Sequence, residues 1–306
     1  MNIFSHGKII TILQYFTDRV EDYWHILYPL TSVHERKEDH YLYFYDISRK
    51  ALDYDGDFSN EGIYLFEGYD GKYHLHPLEL AQYSLACWLA WRKTDDDVWV
   101  KKAMIHCDWL VENQENDGAW KIEHKNPKYS DLPSPWPSGM AQGLASSSLL
   151  RAYRYTGADK YLQCAKRACD FLEVDVDLGG VKKEFDAVFI YEEYPRKELN
   201  GVLNGYISAV IALYELSQID DRYKDLYRVN MKNLKKILPK FDSGFWTYYA
   251  LDNNISSGFY HRYVVIQLKA LSSVDQDFGV YVEKFEKYLD CLSCISKALW
   301  LKVKKR

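Results

Sequence analysis

The sequence predicts an all-α dominated protein whose helices pair into hairpins, forming an incomplete (α/α) toroid of about four hairpins with short β segments at the rim. Apolar residues recur every three or four positions in eight segments, which are 77–93, 97–115, 138–156, 158–173, 200–218, 221–237, 259–274 and 278–301. The pairs start about 60 residues apart, as expected of a repeated helical hairpin. Pro77 suits a first helical turn, and Asp159 and Asp221 suit helix starts.

Short strand-like segments marked by glycine follow the second helix of the first three pairs. They cover 117–122, 180–194 and 244–249. Because equivalent loops of a helical repeat emerge at the same end, we expect these segments to gather on one rim. This places Trp120, Glu192, Glu193, Tyr194, Tyr248 and Tyr249 near a common cleft.

The N-terminal region differs from this repeat. Residues 8–30 carry an amphipathic helical pattern, 32–60 are polar and charged, and 63–66 with 73–75 indicate a short hairpin. We therefore predict two regions: residues 1–75, with a helix and a small β-hairpin, and residues 76–306, the toroid that carries the site.

Composition excludes several classes of function. The net charge of -5 and pI near 6.0 do not favour a nucleic-acid partner. Since no apolar run reaches the length of a membrane helix and 9–13 is too short for a signal sequence, we expect a cytoplasmic protein. The basic residues 302–306 suit a solvated helix end, with weak attraction to a membrane surface as the alternative.

Neither a metal nor a cofactor is expected. The sequence contains no phosphate-binding loop, dinucleotide-binding fingerprint, zinc motif or nucleophile elbow. Of six cysteines, Cys291 and Cys294 alone have the spacing of a metal or redox pair. They fall inside the last helical pattern, so we interpret them as small buried apolar residues.

The densest group of proton-transfer side chains lies in the run Tyr191-Glu192-Glu193-Tyr194-Pro195. Adjacent carboxylates raise the pKa of one another, and the apolar residues 187–190 indicate that the segment is anchored in the core. The alternative is a solvated strand end with acids facing water. The 27 tyrosines suit a surface that packs on sugar rings, so we favour a site.

Three weaker candidates accompany this run. Tyr260-His261-Arg262 opens a predicted helix and offers a phenol beside a cation, with aromatic packing as the alternative. His76, Gln82 and Tyr83 lie on the first helix of the first pair, where interior hydrogen bonding is the alternative. Around Gln142, two glycines permit close approach of a ligand or of another helix.

These motifs together resemble the C-terminal domain of D-glucuronyl C5-epimerase, which converts D-glucuronate to L-iduronate in heparan-type polymers. The matching pieces lie between about residues 75 and 275 and are His76-Pro-Leu-Glu-Leu-Ala-Gln-Tyr83, Gly139-Met-Ala-Gln-Gly143, Tyr191-Glu-Glu-Tyr-Pro195, Leu203-Asn-Gly205, Asp242-Ser-Gly244, Tyr249 and Tyr260-His261. The resemblance implies a compact, bacterial-type epimerase with an (α/α) toroid. Since the family is often dimeric, it also implies a homodimer as one possibility.

The resemblance also implies which residues act. The catalytic positions of the family fall on Glu193, Tyr194, Tyr249 and Tyr260. Substrate contacts are expected from His76, Gln82, Tyr83, Trp120, Gln142, Arg196, Asn204, His261 and Arg262. Two positions depart from the family: Asp252 replaces an arginine that helps to hold a substrate anion, and His76 replaces a tyrosine. Arg196 or Arg262 is a hypothetical substitute for that arginine.

Epimerisation at C5 of a uronate needs a base on one face of the ring and an acid on the other, and donors that neutralise the carboxylate. We expect Glu193 and Tyr260 to be the opposed pair, with Tyr194 and Tyr249 assisting and His261 a lesser participant. A polysaccharide lyase shares the first step and then expels the C4 substituent. A glycan-binding module without catalysis is the third interpretation, which the departures at 76 and 252 motivate.

Overall fold

Eight helices form four consecutive hairpins. The computed structural model describes residues 6–17, 39–68 and 70–304. The hairpins are α3 (Pro77–Thr94) with α4 (Val98–Glu112), α5 (Gly139–Thr156) with α6 (Asp159–Phe171), α7 (Leu203–Ser217) with α8 (Lys224–Ile237), and α9 (Gly258–Ser272) with α10 (Gly279–Leu289). The predicted hairpin repeat is therefore confirmed, with ends that differ by a few residues.

The first helices of the hairpins pack against one another and form the inner layer. Helix α3 contacts α5, α5 contacts α7, and α7 contacts α9, while each second helix packs on the outside of its partner. The inner helices are buried on nearly all sides because their polar residues are mostly small. At Gly143, a Cβ would lie 2.7 Å from the Ser208 carbonyl oxygen, so this glycine is needed for close packing of α5 on α7.

A segment before the toroid packs against the inner helices. Tyr43, Phe44 and Tyr45 are buried, and the Arg151 guanidinium donates to the carbonyl oxygens of Tyr41 (2.9 Å) and Leu42 (2.8 Å). The prediction of a polar region over 32–60 is wrong for this part, because the charges there alternate with aromatic side chains that enter the core. Residues 18–30 of the predicted 8–30 helix lie outside the described residues. Helix α1 covers His6–Phe16, and the short helix α2 covers Arg49–Leu52.

Short antiparallel strand pairs precede three of the inner helices. They are β1 (Phe66–Glu67) with β2 (Tyr73–His74), β3 (Lys121–Ile122) with β4 (Trp136–Pro137), and β5 (Lys182–Phe185) with β6 (Val188–Tyr191). Isolated bridges around 242–255 take the corresponding place before α9. These segments lie at the N-terminal ends of the inner helices, as the repeat predicts for the rim.

The last predicted helix, 278–301, is two helices. Helix α10 ends at Leu289 and α11 covers Leu292–Lys304, because the chain turns at Asp290 and Cys291 so that Ile295 and Ala298 can be buried. Helix α11 contacts both α1 and α10. Within the described residues no helix is long and apolar enough to span a membrane.

Candidate active site

A cavity of about 550 Å³ lies at the N-terminal ends of the inner helices. Its wall includes the N-terminal residues of three inner helices, His76 of α3, Ser138 of α5 and Ser257 of α9. Helix N-termini carry a partial positive charge and unpaired N–H groups, so an anion is favoured near them. The remaining lining residues are Thr11, Gln14, Phe66, Leu78, His124, Asn126, Lys128, Trp136, Glu193, Tyr194, Tyr249, Asn254, Ile255, Tyr260, Leu301 and Lys302.

Glu193 is the buried carboxyl group of this cavity. It follows β6 and rests against the first turn of α7, where the Asn204 amide donates to its Oε2 at 3.4 Å. A Cβ at Gly205 would lie 2.8 Å from the same oxygen, so a glycine is needed for this approach. Burial raises the pKa of Glu193 to about 7, although the hydrogen bond from Tyr194 and the charge of Lys128 favour the carboxylate and lower the pKa. The Leu203-Asn204-Gly205 motif therefore positions this carboxyl group against the start of α7.

The neighbouring Glu192 has a different setting. Its two carboxyl oxygens accept the backbone N–H groups of Asn200 (2.9 Å) and Gly201 (2.8 Å), and it does not line the cavity. Burial raises its pKa to about 7 as well. The charge of Glu192 contributes to the raised pKa of Glu193, but burial is the larger cause. One acid of the pair thus fixes the loop before α7, and the other faces the cavity.

Three tyrosines border Glu193 in the cavity. The rings of Tyr249 and Tyr260 meet edge to face with centroids 4.8 Å apart. Tyr194 packs between Tyr129 and Trp136, at centroid distances of 4.9 and 5.4 Å. Burial, together with the charge of Glu193, raises the pKa of Tyr194 and of Tyr249 well above the ordinary value. Both phenols are therefore protonated at neutral pH and can donate hydrogen bonds.

Lys128 is a cation of the cavity that the sequence did not single out. Its ammonium lies 4.8 Å from the centroid of the Tyr249 ring and 4.7 Å from that of Tyr129. The side chain is exposed because it borders the open cavity, yet enough protein surrounds the ammonium to lower its pKa. The charges of Glu193 and Asp252 oppose this effect and favour the ammonium form. The sequence signal was weak: one lysine in a polar loop without periodicity.

Two histidines also line the cavity. The rings of His76 and His124 lie 5.1 Å apart, and Phe66 packs on both. Burial lowers the pKa of His76 well below its usual value, and the charge of His124 adds to the effect. His76 is therefore neutral at neutral pH, as suits a group that exchanges hydrogen bonds with hydroxyls.

Gln82 and Asn204 lie behind Glu193 rather than in the main cavity. With Met140, Phe259 and Tyr263 they line a second cavity of about 10 Å³, which Glu193 and Tyr260 separate from the first. Asn204 thus contacts the catalytic candidate Glu193, and Gln82 borders the space next to it.

Four other predicted substrate contacts lie in the core, outside the cavity wall. The Trp120 indole donates to the Leu110 carbonyl oxygen at 2.9 Å, and Gln142 holds the same turn by donating to the Gly118 carbonyl oxygen at 2.8 Å. Tyr83 packs among Tyr54, Phe58, Tyr64 and His106. His261 stacks on Trp246 with centroids 3.8 Å apart and bonds to Thr247 and the Phe285 carbonyl oxygen.

Neither predicted arginine lines the cavity. Arg196 forms an ion pair with Asp131 at 2.7 Å, and its guanidinium lies 4.7 Å from the centroid of the Tyr129 ring. It thereby supports the wall through Tyr129, which packs on Tyr194. Arg262 follows His261 on α9 and is half-buried. The lysines Lys128 and Lys302 line the cavity, whereas these arginines do not, and of the two lysines it is Lys128 whose charge acts on Glu193.

The comparisons with known proteins identify the family. The family model described as D-glucuronyl C5-epimerase C-terminus matches residues 113–288, more than half of the 306 residues. The chain belongs to the D-glucuronyl C5-epimerase family. The matched region contains Lys128, Glu193, Tyr194, Tyr249 and Tyr260, whereas the contributions of α1, α3 and α11 to the cavity lie outside it.

Relatives of different length share this similarity. The chain is 32% identical to the D-glucuronyl C5-epimerase of Caenorhabditis elegans over 194 residues, which are 56% of this chain and 32% of that protein. It is 23% identical to an uncharacterized protein of Methanocaldococcus jannaschii over 242 residues, 71% of this chain and 77% of that protein. The chain thus spans about a third of the nematode enzyme.

Among solved structures, one match is an inactive variant of an α-1,6-mannanase of Salegentibacter in complex with α-1,6-mannotriose. The sequences are 16% identical, the match covers 70% of this chain and 62% of that chain, and the TM-score is 0.47.

Proposed function

We propose that the protein is a uronate C5-epimerase that converts D-glucuronate residues of a polysaccharide or oligosaccharide to L-iduronate. The observation that carries this proposal is that Glu193, Tyr194, Tyr249 and Tyr260 line one cavity in the region that matches the epimerase family. These side chains come from the end of β6, the 242–255 loop and α9, so they can approach a sugar ring from different directions.

The chemistry sets the requirements. The hydrogen at C5 of a uronate lies alpha to a carboxylate, and its removal as a proton leaves the electron pair shared between C5 and the carboxylate oxygens. The enzyme must stabilise that additional negative charge with donors or cations. It must also return a proton to the opposite face, since return to the same face regenerates the substrate.

Glu193 is the proposed base. A pKa of about 7 gives a carboxylate that is a stronger base than an ordinary glutamate and is still substantially ionised at neutral pH. Tyr260 is the proposed acid on the other face. In the reverse reaction the two exchange roles, because the proton then leaves from the opposite side of the ring.

Lys128, Tyr194 and Tyr249 are proposed to hold the substrate carboxylate. The two phenols are kept protonated by burial and by Glu193, and Lys128 supplies a positive charge next to Tyr249. The N-termini of α3, α5 and α9 at the cavity wall add a favourable field for the same anion. In this arrangement Lys128 takes over the role that the family arginine has at the position of Asp252.

A heparosan-type chain of alternating glucuronate and glucosamine is the proposed substrate. A cavity of about 550 Å³ is larger than one pyranose ring needs and falls in the range of small-ligand sites. Burial lowers the pKa of both His76 and His124, so these neutral histidines offer partners for hydroxyl groups, and Trp136 offers a ring surface for a neighbouring sugar.

Incubation of heparosan with the protein in deuterated water tests the proposal. We expect deuterium at C5 and iduronate in the NMR and mass spectra, and loss of both in Glu193→Gln, whose circular dichroism stays unchanged. Glu184→Gln is the matched control, because Glu184 is an exposed carboxylate on the adjacent strand β5. An unsaturated uronate would instead identify a lyase. Bound glycan without exchange on any uronate polymer would contradict catalysis and leave the binding module.

A further inference from the structure

The pair Cys291 and Cys294 lies at the surface and not in the core as the sequence suggested. Cys291 immediately precedes α11, since its carbonyl oxygen accepts the first helical N–H, from Ile295, at 3.0 Å. Cys294 lies in the first turn of the helix, and its backbone N–H donates to the Cys291 sulfur at 3.3 Å. Both side chains are partly exposed, whereas Cys87, Cys107, Cys164 and Cys169 are buried.

This arrangement brings two sulfur atoms together across one helical turn. Residues three apart in a helix have Cβ atoms about 5–6 Å apart, and a disulfide needs about 3.5–4.5 Å. Cys291 precedes the helix, so closing the bond requires only a local shift of about 1–2 Å toward Cys294. The Cys291 sulfur also lies 3.2 Å from the Ser293 hydroxyl. Donors at the start of a helix stabilise a thiolate, and bonds to Cys294 and Ser293 lower the pKa of Cys291 to about 7. Burial and the neighbouring Cys291 raise the pKa of Cys294.

We propose that Cys291 and Cys294 form a redox-active dithiol, which a small-molecule disulfide oxidises to an intramolecular disulfide across the first turn of α11. A structural zinc site needs about four ligands, and the described part of the chain holds no group of three or more His, Cys, Asp or Glu placed for a metal. Two thiols without further ligands suit sulfur exchange better than metal binding.

The reaction proceeds in two balanced steps. The Cys291 thiolate attacks one sulfur of the small disulfide RSSR, forming a mixed disulfide and releasing RS⁻. Cys294 then loses its proton and attacks the Cys291 sulfur, which forms the Cys291–Cys294 bond and releases the second RS⁻. The two electrons lost by the protein reduce RSSR to two thiols. The disulfide would link the residue before α11 to the first turn of that helix. Leu301 and Lys302, near the other end of α11, line the cavity.

Oxidised glutathione is the probe that tests this inference. We expect the reduced protein to lose two hydrogens, with peptide mapping placing the disulfide at Cys291 and Cys294 while the four buried cysteines remain thiols. Cys294→Ser should trap glutathione on Cys291, and it should do so at least about fivefold faster than Cys291→Ser acquires it on Cys294.

Two results would overturn the inference. One is a reduced pair that stays alkylatable after prolonged exposure to oxidised glutathione. The other is equal adduct formation in both serine variants, because equal rates would mean that the helix start does not activate Cys291. Circular dichroism of both variants checks that the comparison is made on folded protein. Since the readout is thiol chemistry, its outcome is independent of epimerase activity.

Discussion

Replacing Gly205 by alanine should impair catalysis far more than stability. A Cβ at this position would lie 2.8 Å from Glu193 Oε2 and 2.9 Å from Glu193 Cβ, distances below 3.0 Å that force a displacement. Glu193 cannot withdraw easily, because the preceding residue is held at both backbone groups: the Glu192 N–H donates to Val181 (2.7 Å) and its carbonyl accepts from Gly139 (2.8 Å). The carboxyl group itself must therefore turn away.

The expected magnitudes follow from these contacts. Overpacking costs about 1–3 kcal/mol, while an alanine in place of a helical glycine gains about 1 kcal/mol, so the net loss of unfolding free energy should be about 0–2 kcal/mol. A reacting group displaced by about 1 Å lowers the rate about 100-fold. We therefore expect kcat/KM for C5 exchange to fall about 100-fold in Gly205→Ala.

Gly279→Ala is the matched control. Gly279 is also at the start of a helix, α10, has no atom within 4 Å of the added Cβ, and has an ordinary helical φ of -55°. Its replacement should leave exchange unchanged and leave stability equal or slightly higher. Exchange kinetics and urea unfolding of both variants make the comparison. Wild-type exchange in Gly205→Ala would refute the placement of Glu193 as the base.

Two further predictions concern charge. Because Glu193 must be ionised to act as a base, kcat/KM should fall as the pH drops below about 7. The control Glu192→Gln should show the same fall in kcat/KM. A fall that begins only near pH 4.5 would mean that burial does not raise the pKa of the base. Lys128→Gln should reduce kcat/KM about 10–100-fold by removing a charged partner of the carboxylate, while Lys121→Gln, whose ammonium pairs with Glu115 at 2.6 Å, should have no effect.

The raised pKa of Glu193 also affects stability, with a definite sign. A carboxyl group whose pKa is higher in the folded state than in the unfolded state binds its proton more tightly when folded. Its contribution to stability is complete below about pH 4.5 and is lost as the pH rises through about 7. Stability and activity therefore change in opposite directions over this interval, as expected of a group held in a site for its chemistry.

The hairpin repeat could be predicted because buried helices need apolar residues at every third or fourth position, and this spacing is visible in the sequence. The sequence also predicted that Glu193, Tyr194 and Tyr249 lie at one rim, because their segments precede inner helices, and that Tyr260 lies at the start of an inner helix. The catalytic roles of these four remain predictions. The repeat geometry thus accounts for where the candidate groups lie, and the experiments above address what they do.

Side-chain direction at the rim could not be predicted. Trp120 belongs to a rim segment, but its indole N–H finds a partner in the core at Leu110, and a strand residue one position away faces the other side. The aromatic segment 39–48 has no local signal of burial, since its partners Arg151 and Tyr263 are more than 100 residues away. Such contacts form only when the inner helices are packed together, and residues close in the sequence do not reveal them.

The place of Lys128 in the cavity could not be predicted from the residues around it either. The resemblance to the epimerase family places an arginine at the position of Asp252, so the family and this chain would supply the cation from different loops. Here Asp252 is exposed, accepts the Asn254 N–H at 3.0 Å, and attracts the Lys128 ammonium. We therefore propose that catalysis needs a cation in the cavity, whichever loop supplies it.

The double variant Lys128→Gln/Asp252→Arg tests this exchange of cation positions. We expect Lys128→Gln alone to lose substrate binding and the double variant to recover at least about tenfold in kcat/KM over it, which corresponds to a coupling of about 1.4 kcal/mol. Asp252→Arg in the wild-type background should gain less, because Lys128 already neutralises the carboxylate and two adjacent cations repel each other. A double variant no better than Lys128→Gln would show that a cation at position 252 cannot reach the substrate, and that Asp252 marks a different mode of binding from that of the family.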